Sequence, residues 1–148
     1  MKYNQMFLSD SEFEEIAKQV SLGNAIAGNQ MDLFLRDLET KNTLKIVNKY
    51  NLNEKQLNDF DNAILQYDYL SNEGVYFKSF DCCFVDEEYN KIEVDDKTMC
   101  AFAEYVIMCH KIYVELWEDN AVKVAEEILK RGVEVKNELW KMQVYFTR

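Results

Sequence analysis

The stretch Met99–Trp117, MCAFAEYVIMCHKIYVELW, decides the fold. Glu104, His110, Lys111 and Glu115 are its clearly polar or ionisable positions among nineteen residues. They make it too polar for a membrane span, and the rest suits a helix buried at the centre of a core. Asp95 or Asp96 is placed to cap its start.

Working outward, the neighbours also read as helices. The chain of 148 residues has no proline and four glycines, so the two strongest helix breakers are scarce. Ser9 and Glu12 have capping-box spacing, and Phe13, Ile16, Ala17 and Val20 follow at helical spacing. Gly23 and Gly28 mark a connector. Met31, Phe34, Leu35 and Leu38 form one stripe; Leu44, Val47 and Tyr50 form another on roughly the opposite side. One straight helix cannot bury both on one face, so a break is expected near Thr40–Thr43. Asn53 and Gln56 make a second capping box, before a helix that buries Leu57, Phe60, Ile64 and Tyr67.

Beyond Gly74, Phe80, Cys82 and Phe84 alternate, as do Ile92 and Val94, with Asp86–Asn90 between them. That pattern predicts a β-hairpin with a five-residue loop. A short strand is expected at Tyr3–Leu8. After Asp119, the positions Ala121, Ala125, Ile128, Gly132, Val135, Leu139, Met142 and Phe146 keep the 4-3-4-3 spacing of a packed helix seam. If Gly132 ends that helix, Trp140, Met142, Val144 and Phe146 alternate as a strand instead. The expected class is mainly α, a compact multi-helix domain spanning 1–148 with a small β-hairpin.

Most chemical signatures fail on inspection. Gly23–Gly28 has the outline of a phosphate loop, but Asn29 and Gln30 stand where Lys and Ser/Thr are needed. Cys100 and Cys109 are nine residues apart on one helix, about 13.5 Å along its axis, too far for one zinc ion whose sulfur bonds are about 2.3 Å. Cys109 and His110 are helix neighbours that diverge, not a facing nucleophile and base. Asp86, Glu88 and Asn90 begin like a calcium loop, but Lys91 and Lys97 replace its glycine and its bidentate glutamate. Glu93, Asp95 and Lys97 match only a fragment of a metal-dependent nuclease pattern. No catalytic set, metal ligand set or cofactor is expected.

The charge is uneven. The formal net charge is −10, and from Asp59 to Asp96 eleven acids face two bases, Lys78 and Lys91. Such a surface attracts cationic partners and disfavours direct binding to nucleic acid or anionic membrane. Four cysteines and no apolar leader in Met1–Glu15 suggest free thiols and a cytoplasmic setting, in a bacterial cell or an infected host cell.

Glu54, Asp61 and Asp68 recur every seven residues and share a helix stripe; Asp86, Glu87 and Glu88 fill the hairpin loop. Tyr67, Tyr69 and Tyr89 lie among them, and tyrosine beside carboxylate can grip arginine and lysine. Tyr67 and Tyr69 flank Asp68 and cannot both point inward. These nine residues are the expected binding face for a basic, nucleic-acid-handling protein. The expected role is a non-catalytic inhibitor of the immunity-protein, antitoxin or phage DNA-mimic type. Two rival readings are a small enzyme with a buried site that joins His110 to Cys82 or Cys83, and a helical oligomer joined through the Ala121–Phe146 seam.

Overall fold

The computed structural model describes residues 6–113 and 119–129. Among them are five helices: α1 Asp10–Ser21, α2 Gly28–Tyr50, α3 Glu54–Asn72, α4 Asp96–Ile112 and α5 Asp119–Leu129. The protein is therefore mainly α. No helix among the described residues is long and apolar enough to cross a membrane.

α4 is the hub and packs against α2, α3 and α5. Every residue from Ala101 to Cys109 is buried, so the helix has no solvent face along that stretch. Phe102 packs edge-on to Phe80 and Phe84, with ring centroids 5.1 and 5.4 Å away. One charge sits inside this core. Glu104 is 0% exposed, and Lys49 of α2 reaches it with Nζ 2.6 Å from Oε1.

Local chemistry starts α1, α3 and α4 as the sequence predicts. Ser9 and Glu12 form the α1 capping box, and Asn53 and Gln56 form the α3 box. Asp95 caps α4 by accepting from the Thr98 N–H at 2.9 Å. Gly74, at φ 77°, directly follows the C-cap of α3 in a left-handed turn that glycine adopts without strain.

Three expectations need correction. α2 runs unbroken through Thr40–Thr43. Its two stripes face two different cores: Phe34 stacks on Phe13 of α1, while Ile46 and Val47 enter the main core with α3 and α4. The polar residues at the expected break bond back to the helix itself. Thr40, Asn42 and Thr43 donate to the carbonyls of Arg36, Leu38 and Glu39, four residues earlier.

The expected β-hairpin is reduced to one antiparallel bridge, Val85 to Lys91. A 3-10 turn at Asp81–Cys83 replaces its first strand. Phe80, Cys83 and Phe84 are buried and Cys82 is exposed, so the alternating assignment of Cys82 to the inner face does not hold.

At the N-terminal side, Met6–Leu8 form no strand. The Phe7 and Leu8 N–H groups instead donate to the two oxygens of buried Asp37, each at 2.9 Å. The rest of the expected Tyr3–Leu8 strand lies outside the described residues, as do the end of the central run at 114–118 and the seam or strand beyond Leu129. The part of the seam that can be followed, Ala125 and Ile128, is buried in the main core beside α4.

Candidate functional site

A groove of about 390 Å³ opens between α3 and the Asp81–Lys91 segment. α3 contributes Gln66, Tyr69 and Leu70. The opposite side contributes Asp81, Cys82, Val85, Tyr89 and Lys91. Tyr69 and Tyr89 are 60% and 74% exposed, so both phenols are available to a partner.

The short turn Asp86–Asn90 builds the second wall. One Asp86 oxygen accepts from the Glu88 and Asn90 N–H groups, each at 2.9 Å. Asp86 N–H donates to the Asn90 carbonyl, and Tyr89 N–H donates to the Asp86 carbonyl. This wrapping holds Tyr89 at φ 64°, a left-handed conformation costly for a bulky side chain. Glu87 and Glu88 occupy the same turn and are exposed. The 3-10 turn sends Cys83 into the core and leaves Asp81 and Cys82 at the groove. Lys91 then reaches Asp81, Nζ to Oδ2 3.2 Å, and both side chains remain largely solvated.

The nine residues expected to form one face divide into three groups. Tyr69 and Tyr89 meet in the groove, with Asp86, Glu87 and Glu88 on the turn that carries Tyr89. Glu54, Asp61 and Asp68 keep their common stripe, but that stripe does not face the groove. At 100° per residue it lies roughly 130° around α3 from the flank of Gln66, Tyr69 and Leu70. Glu54 is also about 22 Å along the helix axis from Tyr69. Tyr67 does not belong to the surface at all. It is 1% exposed, stacked on Phe77 and edge-on to Phe80 and Phe102, so it is a core residue and its anchor role is withdrawn.

The pairing of Asp81 with Lys91 is not legible in the sequence. They are ten residues apart, and only the 3-10 turn and the Val85–Lys91 bridge bring them together. The Asp86-to-Asn90 turn chemistry was the available signal, since Asp and Asn favour such turns.

A second polar cluster lies between α2 and α4. Glu39 Oε1 accepts from the Tyr105 hydroxyl at 2.9 Å and from the Cys109 thiol at 3.4 Å; Oε2 accepts from the Tyr113 hydroxyl at 3.3 Å. Burial pushes the Cys109 thiol and the Tyr105 phenol well up, and the neighbouring Glu39 adds to both shifts. Burial raises Tyr113 in the same direction. These groups stay protonated and act as donors to the half-buried Glu39 carboxylate. A thiol held protonated is a poor nucleophile, and Cys109 serves here as a hydrogen-bond donor to Glu39. The thiol at the groove is Cys82, and His110 is not among the groove's lining residues.

Comparison of the chain with family models, with curated proteins and with solved structures finds no match.

Proposed function

We propose that this chain is a non-catalytic acidic binding protein whose partner is a basic protein of the kind that handles nucleic acid. It would work as an inhibitor, in the manner of immunity proteins, antitoxins or phage proteins that imitate DNA. The observation that carries this reading is the pairing of two exposed tyrosines, Tyr69 and Tyr89, in one groove beside the Asp86–Glu88 turn. Aromatic faces and carboxylates together suit lysine and arginine side chains, through ion pairing and cation–π contact. Carboxylates can also occupy positions on a basic protein that otherwise receive phosphates.

The binding set is narrower than the sequence suggests. Tyr69, Tyr89, Asp86, Glu87 and Glu88 form the contact region, and the Glu54, Asp61 and Asp68 stripe adds long-range attraction from another flank of α3.

The test begins with capture of partners on the tagged chain from its native cell or host. The affinity of each purified partner is then measured between about 50 and 500 mM salt, where exposed charge pairs become screened. A steep loss of affinity, and competition with nucleic acid for the same partner, are expected. Affinity that stays level across that range rejects this mode of binding.

A further inference from the structure

The Asp81–Lys91 ion pair belongs to the groove lining itself. Its side chains are 52% and 63% exposed, and exposed pairs of this kind contribute little to folding. The pair therefore leaves a carboxylate in the groove that a stronger cation can take over.

We propose that Asp81 is the docking carboxylate for an arginine side chain from a basic segment of the partner, and that Lys91 is its intramolecular stand-in. This rests on the reading of the chain as a binder of basic proteins and adds the place, the residue type and a built-in competitor. Arginine fits better than lysine for two reasons. Its planar guanidinium can give two parallel hydrogen bonds to a carboxylate, whereas Lys91 gives one at 3.2 Å. The same plane can stack on the exposed phenol rings of Tyr69 and Tyr89. The aliphatic stem, which lysine shares, can lie along Leu70 and Val85, which line the groove. The Asp86–Glu88 turn supplies further negative charge for neighbouring basic residues of the segment. Because Lys91 must leave Asp81 first, apparent affinity falls by the fraction of the protein in which that carboxylate is free.

The experiment uses the full chain and a fluorescein-labelled hexa-arginine peptide at low salt, read by anisotropy, with hexa-lysine and hexa-glutamate as comparisons. Lys91→Ala should tighten hexa-arginine binding about two- to fivefold. Asp81→Asn and Tyr69→Ala should each weaken it about two- to fivefold. Lys55→Ala also removes one positive charge, but from a lysine paired with Asp59 outside the groove, and should change affinity far less. Bound peptide should slow iodoacetamide alkylation of Cys82, which lines the groove, as read by mass spectrometry of the modified site. Equal effects of Lys91→Ala and Lys55→Ala, with no protection of Cys82, would overturn the groove assignment while leaving a diffuse acidic binder standing. Failure of hexa-arginine to bind any form at low salt would overturn both readings. Cys82 protection that rises with protein concentration alone, together with a dimer mass by light scattering, would assign the groove to a second copy instead.

Discussion

Gln56 joins the starts of two helices to each other. Its Oε1 accepts from the Asn53 N–H at the head of α3, and its Nε2 donates to Asp95 at 2.7 Å, the residue that caps α4. A single amide thus serves two caps, with each of its ends doing different work. Gln56→Glu keeps an acceptor for Asn53 but sets a carboxylate against Asp95. It should destabilise the fold by about 1 kcal/mol, comparable to loss of one cap. Urea denaturation at pH 7 and at pH 3 checks this. The deficit should shrink at pH 3, where the new carboxyl takes up a proton.

Lys49 and Glu104 make a second prediction. Lys49→Ala removes the ammonium 2.6 Å from a fully buried carboxylate. The loss should be about 3 kcal/mol, at the lower end for a broken buried pair because Lys49 is partly solvated. The double change Lys49→Met with Glu104→Leu should recover most of that loss, since apolar groups of similar volume need no desolvation. A double variant no more stable than Lys49→Ala would count against this account.

The protein should weaken in alkali. Burial raises the Cys83 and Cys109 thiols and the Tyr105 phenol above their ordinary values of 9.0 and 10.0. In the unfolded chain these groups ionise above those values; in the folded chain they keep their protons. The unfolded state then binds fewer protons, so stability is fully present below about pH 9 and declines as pH rises beyond it. Each group adds a slope of about 1.4 kcal/mol per pH unit at most. Urea midpoints at pH 8 and pH 10.5, at fixed ionic strength, measure it. Equal midpoints would contradict the burial of these groups.

Tyr89 should be worth more to binding than to folding. Tyr89→Asn places a residue that tolerates left-handed backbone at φ 64°. It should raise stability by about 0.5–1 kcal/mol and weaken the captured partner's binding by about twofold or more. Loss of stability in this variant would mean that the Tyr89 ring packs more than its 74% exposure implies.

Local chemistry was the most readable part of this fold. Both capping boxes were visible because their partners lie three residues apart, and α4 was visible because apolar residues cover all of its sides. α2 was misread because a helical wheel assumes one packing partner, whereas α2 meets α1 with one half and α4 with the other. Tyr67 and Tyr69 were known to diverge, but only the ring cluster of Phe77, Phe80 and Phe102 settles which one turns inward. The groove was hidden for a different reason. Alternation over Phe80, Cys82 and Phe84 suggested a strand, while the 3-10 turn shifts the inward residue to Cys83. That one-residue shift is what leaves Cys82 and Asp81 lining the groove.

In the satellite core α1 contributes two buried side chains, Phe13 and Ile16, which meet Phe34 of α2 among partly buried neighbours. α2, by contrast, is anchored by its other half in the main core. With the smaller buried set, the first helix should open before the bundle of α2, α3 and α4 does. Amide exchange should be fastest in α1, and a protease should trim the chain there before it can reach the central helix.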